Sequence, residues 1–185
     1  MLDEKQRINQ IINLSQEIAR VNDLDILLEH ILAVSCQFAN ADAGSIYIME
    51  SNYLKFSHTL NHTLQKRLQP GQKLIYSTFT TPVDNESICG YVASTGEMLN
   101  IPDVYELDEN LTYAFNKSYD NISKYRTKSM LTFPMKNHRD EVIGVLQLIN
   151  SMDEDGNIIP FSKDDEQYII HFANNAAIAI ERAKL

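Results

Sequence analysis

A chain of 185 residues with 44% hydrophobic and 22% charged residues is long enough to bury one core and short of two ordinary domains. Its 25 acids against 16 bases leave a formal net charge of −9, a field that repels phosphate backbones and anionic lipid, so nucleic acid and membrane surfaces are excluded as general partners. No apolar run approaches the roughly 20 residues of a membrane helix.

The charged start, residues 1–7, lacks an apolar signal core. Cys36 and Cys89 make neither a CxxC pair nor a disulfide framework, which predicts a cytoplasmic, reducing setting. Residues 3–21 read as a helix, with Ile8, Ile11, Ile12, Ile18 and Ala19 at helical spacing. Asn22 or Asp23 caps a second helix, whose apolar positions include Ile26, Leu27, Ile31, Leu32, Val34 and Phe38 and which ends within residues 39–42.

The period then changes. Residues 44–49 and 53–58 predict two strands joined by the polar turn Glu50-Ser51-Asn52, an antiparallel hairpin. A third strand is expected within residues 73–81. A short helix over 86–94 follows, with Gly96 as its left-handed terminus. A loop-rich stretch begins at Pro102 and continues to Lys128. Residues 129–133 and 142–149 predict a second hairpin, and residues 161–185 a long helix. Ser162 is the expected N-cap of that helix, Asp165 completes the capping pattern, and Ile169, Phe172, Ala173, Ala176, Ile180 and Ala183 form its apolar stripe. This order predicts an α+β domain with a mostly antiparallel sheet, the terminal helices on one face and the short helix with the loop over the other.

Nothing in the sequence spells a catalytic centre: there is no phosphate-binding glycine loop, zinc spacing or nucleophile elbow. His58 and His62 straddle a strand end, and no metal pattern links the five histidines. Cys89, without an activating base, reads as a buried structural thiol. The long loop carries Tyr105, Tyr113, Phe115, Tyr119 and Tyr125, amphipathic rings suited to a lid over a pocket. Lys117, Lys124, Arg126, Lys128, Lys136 and Arg139 are concentrated from its second half onward, either a local field for an anionic ligand or a solvated basic face.

The run Ser87-Ile88-Cys89-Gly90-Tyr91 through Gly96-Glu97 resembles GAF domains. So do Leu99-Asn100-Ile101-Pro102-Asp103, Tyr125-Arg126-Thr127-Lys128-Ser129 and Glu141-Val142-Ile143-Gly144-Val145-Leu146-Gln147. The likeness runs from about residue 25 to 184 and is nearest the subgroup in the regulatory halves of cyclic-nucleotide phosphodiesterases and cyclases. It implies a GAF-like, PAS-like six-stranded antiparallel sheet. It divides the chain into a connecting and dimerisation helix over 1–22 and a GAF domain over 23–185 that ends in a connecting helix. The subgroup's signature appears here as Asn150, Phe161, Asp165 and Glu166, but its lysine is replaced by Ser151. In the family that lysine pairs with the aspartate, here Asp165. Lys124 stands where glycine is frequent, and Asn116 where an aromatic residue is common.

The resemblance implies a pocket between sheet and lid. Its ligand positions are Ser45 on the first strand, Ile88 and Cys89 at the short helix, and Asp120, Ser123 and Thr127 in the loop, with Ser57 and His58 facing the same cavity. Helix amides and hydroxyls would hold a phosphate while the aspartate reads a purine edge, which makes cyclic GMP or cyclic AMP the candidate ligand. The expected function is a regulatory small-molecule sensor, not an enzyme. The other reading is a ligand-free dimerisation or signal-relay module, a homodimer built from the stripes at Ile8, Ile11, Ile18 and on the last helix. An output domain such as a histidine kinase, diguanylate cyclase or phosphodiesterase would complete the full-length protein, of which this chain, ending within a helix, would be a piece.

Overall fold

A computed structural model describes residues 1–72 and 80–184. Helix α1 (Glu4–Arg20) starts where the Asp3 carboxylate accepts the Gln6 amide and the Gln6 side chain returns the bond, a reciprocal cap. Helix α2 (Leu24–Phe38) starts on Asp23, which accepts the Ile26 amide. Strands β1 (Ala41–Glu50) and β2 (Tyr53–Asn61) then form the first hairpin, β1 longer at both ends and β2 at its far end than the apolar alternation suggested. A five-residue helix α3 (His62–Lys66), capped by Asn61, was not expected. Of the third strand expected over 73–81, residues 73–79 lie outside the described part. Strand β3 (Thr80–Pro82) continues beyond it and pairs with β2.

Helix α4 (Ile88–Thr95) is capped by Ser87 and closed by Gly96 at φ 71°, the left-handed terminus the sequence called for. Strand β4 (Leu99–Ile101) leads into the long loop, which holds a 3-10 turn (Val104–Glu106) and helix α5 (Ser118–Ser123). The second hairpin is β5 (Met130–Lys136) with β6 (Val142–Met152). A two-residue β7 (Ile158–Ile159) pairs with β6, and α6 (Lys163–Ala183) begins on the expected Ser162–Asp165 reciprocal cap.

The antiparallel sheet runs β3-β2-β1-β6-β5-β4, six strands in one path with β7 beside it. Both hairpins occupy its interior, and the strands alternate their side chains between two faces. Ile46, Leu131, Phe133, Leu146 and Leu148 join α1, α2 and α6 in the main core. Tyr47, Leu54, Phe56 and Val145 join Cys89, Val92 and Ala93 of α4 in a second core. The layers are therefore terminal helices, sheet, then α4 with the lid, as expected. Helix α4 sits tightly on its flank: a Cβ on Gly90 would lie 2.5 Å from the Asp84 carbonyl oxygen and 2.6 Å from that of Pro82.

Most of the apolar stripe expected to meet a second chain is packed inside this one. Ile18 is 7% exposed and Ile169 0%, both packed in the main core. Of the expected stripe Ile8 stays in solvent, and with it Ile12, Ile170 and Ile178, which the stripe did not include. A helical stripe tells which side is buried, not whether the neighbour is the chain's own sheet.

Candidate functional site

The sheet face opposite the terminal helices carries an open cavity of about 470 Å³. Its floor is Ser45 and Tyr47 of β1, Phe56 of β2, Met130 of β5 and Gln147 of β6. One wall is Thr80–Pro82 with Asp84 and Glu86, another is Ser87, Ile88 and Cys89 at the start of α4, and α5 with its flanks forms the roof. Ser87 accepts the Gly90 amide at 3.0 Å. The Ile88 and Cys89 amides of the first turn have no partner within the helix, so the N-terminus keeps part of its positive field. The charged residues among the described lining are the acids Asp84, Glu86 and Asp120, without a lysine or arginine. Within the described lining an anion would meet amides and hydroxyls.

Five of the eight expected ligand residues, Ser45, Ile88, Cys89, Asp120 and Thr127, line the cavity together. Ser57, His58 and Ser123 do not. The β1–β2 register shifts between Ile46 and Tyr47: His58 stands opposite Ile46 and Phe56 opposite Tyr47, leaving Ser57 as the extra residue of a bulge. That shift puts His58 on the helix face, 3.6 Å from Asp25 of α2, and Ser57 bonds the His58 Nδ1 at 2.7 Å. Burial holds the His58 imidazole below its ordinary pKa, with Asp25 and Glu29 acting the other way. Ser123 accepts the Tyr125 amide at 3.3 Å, closing the turn after α5.

The roof is fastened by buried polar side chains. Asp120 accepts the Thr127 hydroxyl on one oxygen, and the Thr127 amide and Tyr105 hydroxyl on the other, all at 2.8 Å. Burial and the bond to Asp120 push the Tyr105 hydroxyl pKa up. Arg126 stacks 3.8 Å from the Tyr105 ring centroid, and Lys117 lies 5.2 Å from it, so part of the basic cluster flanks the lid outside the cavity. Lys124, where glycine is frequent in the family, ends α5 at φ 58°, the left-handed conformation that glycine adopts freely.

The signature residues split between two tasks. Asn150, at φ 59°, donates to the Tyr125 hydroxyl at 2.8 Å and the Arg126 carbonyl at 2.9 Å, and accepts the Lys128 amide at 2.7 Å. It thereby ties the lid's return segment to β6, and Tyr125 in turn donates to Asp42. Phe161, Asp165 and Glu166 serve the other side. Asn100 of β4 donates to the Phe161 carbonyl and the Glu166 carboxylate, both at 3.1 Å. Asp165, expected to be left without its lysine, pairs at 3.2 Å with Arg7 of α1, while Ser151 donates to the Ala39 carbonyl at 2.9 Å.

Four floor residues, Tyr47, Phe56, Met130 and Gln147, went unread in the sequence. Gln147 is 5% exposed, and its Nε2 lies 3.0 Å from the Cys89 sulfur, 3.2 Å from that of Met130 and 3.3 Å from the Thr132 hydroxyl. Its signal was available: one amide inside the apolar run Val145-Leu146-Gln147-Leu148. Tyr47 lies two residues from Ser45 and so on the same face of β1. Burial pushes the Cys89 thiol pKa up to about 12, keeping the sulfur protonated at neutral pH. Among the described residues no group of three or more potential ligands is placed to hold a metal, and no helix is long and apolar enough to cross a membrane.

The chain is 30% identical over 190 residues to the dual 3′,5′-cyclic-AMP and -GMP phosphodiesterase 11A of Takifugu rubripes, covering 100% of this chain and 20% of that protein. It thus spans about a fifth of that relative's length. The GAF domain of a phosphoenolpyruvate-protein phosphotransferase from Coxiella burnetii superposes with a TM-score of 0.71 at 17% identity, covering 96% of this chain and 94% of that one. Free methionine-R-sulfoxide reductase from Neisseria meningitidis, solved with its substrate, superposes with a TM-score of 0.69 at 15% identity, covering 100% and 95%. These two share the fold. A family model described as GAF domain matches residues 23–180, and the chain belongs to that family.

Proposed function

We propose that this domain is a regulatory small-molecule sensor whose lidded cavity takes a cyclic nucleotide, cyclic GMP or cyclic AMP. The observation that carries the reading is the cavity itself, about 470 Å³ at the N-terminus of α4 under a fastened roof, within the usual size range of ligand sites. The Ile88 and Cys89 amides suit a singly charged phosphate diester. The aromatic rings of Tyr47, Phe56, Phe115 and Tyr119 suit a purine. The phosphodiesterase relative supports the same ligand class. The protonated Cys89 thiol favours binding over thiolate chemistry at this position. In this reading Asp120 and Thr127 close over the ligand, and an output domain elsewhere in a longer polypeptide receives the signal.

The second reading is a relay module that dimerises without ligand. It is favoured by Asp120, both of whose oxygens are already engaged by Thr127 and Tyr105, and by Ile8, Ile12, Ile170 and Ile178, exposed on α1 and α6. Native mass spectrometry of freshly purified protein reads bound ligand and subunit count together. Thermal melts with each nucleotide test the sensor reading: at 100 times the dissociation constant a ligand adds about 2.7 kcal/mol. No shift with millimolar cyclic GMP or cyclic AMP overturns the nucleotide, and a dimer under those conditions favours the relay.

A further inference from the structure

Asp165 is a carboxylate with its side chain 8% exposed, and its own helix uses only part of it. One oxygen accepts the Ser162 amide at 2.9 Å in the cap of α6. The other accepts from Arg7 at 3.2 Å, 158 residues earlier in the chain. Among the described residues no other cation lies within ion-pair distance of it. Burial raises the Asp165 carboxyl pKa above its ordinary value even with Ser162 and Arg7 acting against that rise. The site is short of positive charge, not rich in it.

Arg7 is seated on more than this one oxygen. The same nitrogen donates to the Phe38 carbonyl at 3.2 Å, and the guanidinium lies 4.4 Å from the centroid of the Phe38 ring. An unsatisfied helix-end carbonyl, the negative pole of α2, an aromatic face and a buried carboxylate converge on one point. Each of them favours a planar cation. Ser151 bonds the next carbonyl along, Ala39, so position 151 borders the same seat.

The helix that brings Arg7 also meets α2 at two exposed points, where Gln10 donates to the Gln37 side chain at 2.6 Å and Glu17 lies 2.9 Å from His30. Leu14 and Ile18 are the buried residues of α1. At the far end Arg182 of α6 donates to the Ile18 carbonyl and to the Asn22 side chain. The start of α1 thus lies at the start of α6 and its end at the end, two parallel helices tied at both tips. The residues matched by the family model begin at 23, beyond α1.

We propose that the junction of α2 and α6 is a guanidinium-binding seat whose occupant is the chain's own N-terminal helix. Arg7 is its positioning residue: it neutralises Asp165 and docks α1, so helix release and loss of that neutralisation are one event. An upstream partner that moves α1 acts directly on the N-cap of α6.

The test is a cycle on the full chain: wild type, Arg7→Ala, Asp165→Asn and the double variant, read by chemical denaturation and by amide exchange along α1. Asparagine keeps an acceptor for the Ser162 amide, so the cap survives. Arg7→Ala is expected to raise the unfolding constant about tenfold, the low end for a lost charge-assisted hydrogen bond, and to speed exchange in residues 5–14. In the Asp165→Asn background the same change should cost less than about threefold. Ser151→Lys added to Arg7→Ala should recover the unfolding constant and leave α1 exchange fast, separating charge from docking. Arg7→Ala costing the same in both backgrounds, or α1 exchange unmoved, overturns the proposal.

Discussion

Asn150→Ala is expected to be among the most damaging single truncations outside the apolar cores. The amide is 1% exposed and makes three hydrogen bonds, to Lys128, Tyr125 and Arg126. At about 1 kcal/mol each these amount to about 3 kcal/mol. Alanine must also adopt φ 59°, which asparagine tolerates better, for about 1 kcal/mol more. A total near 4 kcal/mol in a chain of this size lowers the melting temperature by roughly 8–16 °C. Denaturant titration gives the free energy, and hydrogen exchange should show loosening centred on residues 125–128. Asn150→Gly separates the two contributions, because it loses the bonds and keeps the backbone conformation. A loss under about 1 kcal/mol for alanine, or equal protection of residues 125–128 in wild type and variant, would refute the anchoring role.

Lys124→Gly removes the Cβ from a left-handed helix terminus and should stabilise by up to about 1 kcal/mol, less whatever the freer unfolded chain takes back; a melt lower than wild type counts against strain there. His58, held below its ordinary pKa by burial, is neutral in the fold while the unfolded chain takes up a proton near pH 6.5. Stability from this group is therefore complete above that pH and is lost as pH falls toward the folded-state value. His58→Gln should flatten the decline between pH 7.5 and 5.5, and an unchanged slope would remove His58 from the account.

Element ends were the most legible part of the fold because capping is local chemistry. Asp23, Gly96 and Ser162 each do what their residue type and position indicated. The phase of a strand is less secure. One inserted residue at Ser57 reverses which face later side chains take, so His58 was assigned to the cavity and lies against α2 instead. Short elements such as α3 and β7 carry too few side chains to show a period. The Arg7–Asp165 pair had no local signal at all. An arginine on a polar helix reads as solvated, and only the folded sheet brings it to the head of α6. Of the cavity, five positions followed from the resemblance. Gln147 did not, although a lone amide in an apolar strand must find partners or face a ligand.

Consecutive residues Asn150 and Ser151 belong to opposite sides of the domain. The left-handed turn at Asn150 breaks the alternation of β6, so the asparagine faces the lid's return segment while Ser151 faces the end of α2. Ser151 holds the Ala39 carbonyl, and the neighbouring Phe38 carbonyl and ring hold Arg7. The roof of the cavity and the docking point of α1 are thus separated by two adjacent backbone units and a few short hydrogen bonds, with no flexible element between them. Packed junctions of this kind move between discrete arrangements instead of deforming smoothly. What distinguishes the sensor from the passive relay is therefore whether lid protection and α1 protection change together when a nucleotide is added, a correlation that two independent anchors would not produce.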